Sequence, residues 1–378
     1  MGRKKIGILT GGGDAPGLNA VIYTLIRACR SMKLDYDIIG YKFGYRGLYN
    51  NDFIPLTVEN TSGILHKGGT ILKSSNKDNL FKFPVEVNGV KEYKDESDIA
   101  IENMKKEGVE VLVVLGGDGT LTSARDFARK RNEHNEPEIK VIGIPKTIDN
   151  DLRSTDTTFG FDTAVNIVVE NLGRLHTTAE SHQRVIVVEV MGRNAGWIAL
   201  HSGIAGSADV ILIPEIPYSL DKIIQKVEQR NAIGKNFTIV VVTEGAAEKG
   251  GKESVAMIVA DSPEAKRLGG VARKIAEDLA KANIENEVRH CVLGHIQRGG
   301  EPSPVDRLLS VRYGEAAAQL IKDQNFGNMV CLRNGEMSYV SLEKVIGAGE
   351  ISETKTVSPN HELIRVARSL GISFAEAD

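Results

Sequence analysis

Lys146, Thr147, Asp149 and Asp151 stand within six residues in GIPKTIDNDL (143 to 152), directly after an apolar run. A solvated loop can collect such residues without purpose. At the carboxyl end of a strand, the same set can remove a proton while holding charge on a phosphoryl group. An aspartate suffices as base for a hydroxyl attacking phosphorus, because the transition state is loose and positioning dominates.

Two glycine-rich turns could supply the other half of that chemistry. TGGGDAPGLNA (10 to 20) would leave backbone N–H groups available at the start of a helix, a setting that suits an anion. It is not a dinucleotide fingerprint, since Pro16 stands where the third glycine would fall, and the chain has no GxxxxGK[ST]. A plain tight turn is the other reading. In VVLGGDGTLTSA (113 to 124), Gly116, Gly117 and Gly119 would let phosphates approach the backbone, and the helix from about Thr120 adds its positive end. Asp118 is then either a ligand, direct or through water, for Mg2+ riding on those phosphates, or a helix cap worth roughly 1 kcal/mol. A basic set completes the inventory: Arg184, Arg193, Arg289, His295 and Arg298 lie at strand edges in 181–196 and 288–300. Arginines there suit bidentate recognition of a phosphate monoester, though each alone also reads as a surface charge.

The elements that position these residues alternate. Short β-branched runs at 5–10, 36–42, 109–116, 140–145, 184–191, 209–214, 237–245 and 290–296 read as parallel strands buried on both faces. Helical patterns fall at about 17–32, 98–107, 119–131, 161–178, 194–206, 219–231, 264–282 and 303–322. This order predicts an α/β protein with doubly wound domains, whose ligands sit at the carboxyl ends of strands. The stretches 73–97, 246–263 and the tail after 347 read as irregular, with a final helix near 359–369.

A chain of 378 residues exceeds one ordinary core, so two domains are expected. A net charge of −3 gives no basic face for nucleic acid. The apolar run IGIL near the N-terminus is too short for a signal peptide, and no stretch approaches a membrane span. Cys29, Cys291 and Cys331 are widely spaced, without CxxC. They read as reduced residues of a cytoplasmic protein rather than as metal ligands.

Taken together, TGGGDAPGLNA, GGTIL, GGDGT, PKTIDND, SHQR, VEVMGR and GHIQRGG resemble the phosphofructokinase family in order and approximate spacing, over about residues 4 to 325. NAD kinases and diacylglycerol-type lipid kinases share GGDGT but not the last five motifs together. The resemblance implies transfer of a phosphoryl group to the 1-hydroxyl of fructose 6-phosphate. By position, Asp149 would be the general base, Thr147, Arg193 and Lys146 would stabilise the phosphoryl group with Asp151 beside them, and Asp118 would hold Mg2+. Gly12, Gly117, Gly119 and Thr120 would line the donor phosphates. Lys77 would stand in for an arginine that short bacterial members carry after GGTIL, where this chain reads KSSNKDNLF. Met191, Gly192 and Glu244 would contact the sugar, and Arg289, His295 and Arg298 would hold its 6-phosphate. Arg184 would do so from a neighbouring subunit, which implies a homo-oligomer, dimer or tetramer.

The resemblance implies domains of 1–160 with 297–347 for donor and metal and 161–296 with 348–378 for the sugar phosphate, the site lying in the cleft between them. It leaves the donor divided. Gly119 is the residue of ATP users, whereas a second aspartate there marks pyrophosphate users; Lys146, in turn, is the residue of pyrophosphate users. Gly119 weighs more, because an absent obstruction admits ATP while a lysine could serve either donor. At positions of the bacterial effector site, Tyr23 and His176 replace arginines and Arg27 matches one, so regulation by nucleoside diphosphate or phosphoenolpyruvate is not expected. A non-catalytic paralogue that binds sugar phosphate and nucleotide is the alternative from another class; intact Asp118 and Asp149 speak against it.

Overall fold

The computed structural model describes residues 3–87, 90–258, 266–347 and 354–377. Parts of the expected 246–263 excursion, of the 264–282 helix and of the tail therefore lie outside the described residues. In chain order the structure runs β1 (Lys5–Thr10), α1 (Leu18–Ser31), β2 (Asp37–Tyr41), α2 (Tyr45–Asn50), β3 (Phe53–Pro55), β4 (Phe83–Val87), β5 (Val90–Lys94), α3 (Ser97–Glu107), β6 (Val109–Gly116), α4 (Asp118–Arg129) and β7 (Lys140–Pro145). It continues with α5 (Phe161–His182), β8 (Arg184–Val190), α6 (Trp197–Ala205), β9 (Val210–Leu212), α7 (Leu220–Ala232), β10 (Thr238–Thr243), β11 (Val255–Ile258), β12 (Lys266–Leu268), α8 (Val271–Lys281) and β13 (Glu287–Val292). The last elements are α9 (Pro304–Lys322), β14 (Asn328–Arg333), β15 (Glu336–Ser341), α10 (Leu342–Ile346) and α11 (Glu362–Ser369).

The first of two compact units comprises the described parts of Met1–Ile148, Leu152–Gly160 and Arg298–Glu353. Its seven-stranded sheet has the order β15-β14-β7-β6-β1-β2-β3, parallel from β14 to β2 with an antiparallel strand at each edge. The continuous apolar runs are explained by burial on both sides. Val111, Val113 and Leu115 of β6 face a cluster with Leu25 of α1 and Tyr313 of α9, while Leu112 and Val114 face a second cluster with Phe127 of α4.

The second unit comprises the described parts of Asp149–Asp151, Phe161–Gln297 and Thr354–Asp378. Its four-stranded sheet, order β13-β8-β10-β9, is parallel throughout. Val185, Val240 and Leu212 pack there against Val227 of α7 and Ile275 and Leu279 of α8. The edge strand β13 is largely exposed.

Three expectations need correction. The strand placed at 290–296 ends at Val292; Gly294, at φ +49°, opens a short 3-10 helix, Gly294–Arg298, instead. The helix placed at 264–282 begins only at Val271, because Gly269 and Gly270 take φ of +143° and +82°, outside the right-handed helical region. The stretch 73–97 holds the hairpin β4/β5 rather than irregular chain. The hairpin β14/β15 was unforeseen, although its turn is Asn334-Gly335 with both residues at positive φ, a strong local hairpin signal.

Candidate active site

In the first unit, three strand ends meet. β1 runs into the turn from Gly11, where the Gly11 N–H donates to the Leu115 carbonyl (2.9 Å) and the Gly12 N–H to the Ser75 carbonyl (2.9 Å). Ser74 Oγ donates to the Gly12 carbonyl at 2.5 Å. Gly12 sits at φ +76°, where a side chain would be strained. β6 ends at Gly116, and Gly117 caps α4, whose first residue is Asp118. Thr120 is buried with its side chain over two glycines: a Cβ at Gly116 or Gly11 would lie 2.3 or 2.7 Å from it. Tyr45 fixes that residue from behind, its hydroxyl donating to the Thr120 carbonyl (2.7 Å).

β7 delivers Lys146, which is 3% exposed. Its backbone N–H donates to the Gly116 carbonyl (3.0 Å), and its ammonium donates to the Gly13 carbonyl. The lysine thus braces one glycine turn against the other. Arg298 reaches the same turn, Nη1 donating to the Asp14 carbonyl (3.1 Å). Thr147 holds the chain on its far side, its carbonyl accepting from Thr158 Oγ1 (2.7 Å).

Gly119 differs from its neighbours. A Cβ there would meet nothing within 4 Å, and its φ is not in the left-handed range. Neither packing nor backbone conformation demands glycine at that position.

Lys77 is exposed on the segment that supports the first turn, its N–H donating to Ser75 Oγ (3.3 Å). The segment is built around Asp78, whose carboxylate accepts from Ser75 Oγ (2.5 Å) and from Arg46 (2.7 Å). Neither Arg46 nor Asp78 stood out in the sequence.

In the second unit the ends of β8 and β10 interlock through backbone. The Glu244 N–H donates to the Val190 carbonyl (3.0 Å) and the Gly245 N–H to the Gly192 carbonyl (3.3 Å). A Cβ on Gly245 would lie 1.9 Å from the Arg193 carbonyl, so any side chain there would displace the Arg193 loop. Gly192 stands at φ +133°, and Met191 donates its N–H to Gln297 Oε1 (3.2 Å). His295 is exposed on the short 3-10 helix. Asn150, between Asp149 and Asp151, is buried at φ +52°.

Arg184 and Arg289 converge on one carboxylate, Glu287. The Arg184 hydrogen bond holds that carboxyl below the usual range. The pairing was readable: Glu287 stands opposite Arg184 in the parallel ladder and two residues before Arg289, hence on the same strand face. Arg289 is thereby joined to Arg184, whereas Arg298 is joined to the Gly13–Asp14 turn.

Among the described residues no group of three or more His, Cys, Asp or Glu could hold a metal ion. No described helix is long and apolar enough to cross a membrane. Cys29 and Cys331 are buried and Cys291 is half-buried, all unbridged; burial pushes the Cys29 thiol up to about 12.

The family described as Phosphofructokinase matches residues 5–321. This chain belongs to the phosphofructokinase family. It is 60% identical to the ATP-dependent 6-phosphofructokinase 2 of Clostridium perfringens, over 99% of both chains. It is 44% identical to the pyrophosphate–fructose 6-phosphate 1-phosphotransferase of Streptomyces coelicolor, over 94% of this chain and 96% of that one. The crystal structure of the pyrophosphate-dependent phosphofructokinase of Marinobacter aquaeolei shares the fold at a TM-score of 0.78 and 21% identity, covering 99% of this chain and 92% of that one.

Proposed function

We propose that this chain transfers a phosphoryl group from ATP to the 1-hydroxyl of fructose 6-phosphate, giving fructose 1,6-bisphosphate. The observation that carries the choice of donor is the space at Gly119. Glycine there answers no need of the fold and leaves open space at the start of α4, which a donor larger than pyrophosphate can use. An aspartate would put bulk and charge where the α-phosphate of ATP must pass. Lys146, the residue that argues for pyrophosphate, is bonded to the Gly13 carbonyl, a bracing role that serves either donor. The relative at 60% identity is named for ATP and the pyrophosphate relative stands at 44%.

Asp149 takes the proton of the 1-hydroxyl as that oxygen attacks the γ-phosphorus, with Asp151 beside it, and the bond from the γ-phosphorus to the β,γ-bridging oxygen breaks to release ADP. Thr147, Lys146 and Arg193 stabilise the charge on the phosphoryl group in transfer. Gly12, Gly117, Gly119 and Thr120 line the donor phosphates, with the N-terminus of α4 adding positive potential and Lys77 available from the neighbouring segment. Met191, Gly192 and Glu244 contact the sugar, and Arg289, His295 and Arg298 its 6-phosphate. Arg184 is supplied to a neighbouring copy, so the working form is a homo-oligomer.

The donor set fits Mg2+. A half-buried carboxylate, Asp118, at a helix N-terminus, with no cluster of three or more metal-ligating side chains among the described residues, suits an ion that brings phosphate oxygens and waters as its remaining ligands. When bound, Mg2+ supplies charge neutralisation on the donor phosphates.

The test is formation of fructose 1,6-bisphosphate from fructose 6-phosphate and MgATP by the purified chain. Sustained turnover is expected. Binding of both ligands without turnover would replace this reading with the regulatory paralogue.

A further inference from the structure

The tail that follows residue 353 bonds to the loop bearing the base. The Lys355 N–H donates to the Asp151 carbonyl (2.7 Å), and two residues on the Val357 N–H donates to Glu215 Oε1 (2.7 Å). That same oxygen accepts from the Gly196 N–H (3.0 Å), at the start of α6 and three residues after Arg193. Trp197 Nε1 donates to the Lys355 carbonyl (2.7 Å), and its ring faces the Lys355 ammonium (5.5 Å) and the edge of His361 (5.1 Å). Farther along, Ser373 exchanges backbone hydrogen bonds with Asp209 and Ile211, adding chain beside β9. All of these residues belong to the second unit.

Two features set this apart from a tail that simply packs. Its bonds to the loop and to Glu215 come from backbone N–H groups, which fix chain position independently of side-chain rotamers. Glu215 stands just past the end of β9, half-buried, with one oxygen taking two N–H donors; burial raises its carboxyl while those bonds act the other way. A carboxylate in such a place must be held by its donors, and here the donors are the α6 start and the tail.

We propose that Lys355–Val357 is a strap, anchored by Glu215, that positions the Asp149–Asp151 loop relative to the loop of Arg193. This rests on the reading in which Asp149 is the base. Glu215 and Trp197 are positioning residues; neither touches substrate in this account.

The test compares Glu215→Ala, Glu215→Gln and Trp197→Phe in the full-length protein by steady-state kinetics and hydrogen–deuterium exchange. Glu215→Ala should lower kcat about 10- to 100-fold, as expected when reacting groups shift by about an ångström, with KM for fructose 6-phosphate within about threefold. Exchange at Lys355, whose N–H makes the bond to the loop, should quicken while α7 stays protected. Glu215→Gln, whose amide oxygen still accepts both N–H groups, should restore kcat, and Trp197→Phe should lower it several-fold. Unchanged kcat in Glu215→Ala would overturn the proposal, as would a parallel loss of kcat and KM with exchange rising throughout the unit. If Glu215→Ala does not fold, Trp197→Phe decides, and unchanged kcat with unchanged exchange at Lys355 refutes the strap. If the wild-type chain makes no fructose 1,6-bisphosphate, the functional reading fails by itself; exchange at Lys355 then tests the strap alone, and no change in Glu215→Ala refutes it.

Discussion

The two units hold their candidate residues by different means. In the first, the glycine turns are set by buried packing, with Thr120 filling the space over Gly11 and Gly116 and Lys146 bonded to Gly13. In the second, the arginines of the β8 and β13 edge are held by the Glu287 carboxylate at the surface, Arg289 being 57% exposed. Shape made by packing does not yield to salt or to small changes of charge. An exposed ion pair does, because water and counterions screen it. On the reading proposed above, the packed turns of the first unit present one geometry to the donor, while the arginine edge holds its cations in a screened ion pair.

The contrast can be broken at several points. The largest expected effect is at the proposed base: Asp149→Ser should lower kcat by about 10²- to 10⁴-fold, with fructose 6-phosphate affinity measured by calorimetry little changed. Retained turnover would remove Asp149 from that role. Next is the packed turn, where Gly116→Ala puts a methyl 2.3 Å from the Thr120 side chain. It should destabilise the protein by about 1–3 kcal/mol, read as a lower urea midpoint, and raise KM for ATP. Gly119→Ala, in the first turn of α4, meets open space and should leave the midpoint within about 0.5 kcal/mol while still raising KM for ATP. If both glycines respond alike in stability, the packing half of the comparison fails. The smallest effect is expected at Glu287→Gln: a change of severalfold or less in KM for fructose 6-phosphate, with the salt dependence of KM altered and kcat kept.

Much of the fold is legible in the sequence. β1, β6 and β7 run as continuous β-branched stretches because they are buried on both faces, and such strands announce themselves. The residues just past them could be picked out because ligands gather at strand ends in α/β sheets. What escaped was held by partners far apart in sequence. Asp78 with Arg46, and Glu215 with Gly196 and Val357, leave no local period. The late start of α8 escaped for another reason: its apolar pattern extends across Gly269-Gly270, and only their backbone angles show that the helix cannot. The surroundings of Arg27 were likewise not readable from sequence: its guanidinium lies 3.5 Å from the Tyr23 ring centroid and donates to the Val58 carbonyl (3.0 Å).

The donor is the point on which the account turns. Initial rates with ATP and with pyrophosphate, at saturating fructose 6-phosphate and Mg2+ and over matched donor ranges, give two values of kcat/KM. The open space at Gly119 predicts that ATP exceeds pyrophosphate by orders of magnitude, and that Gly119→Asp narrows or reverses the ratio without loss of stability. A wild-type preference for pyrophosphate would contradict the account and make Lys146 the residue that decides.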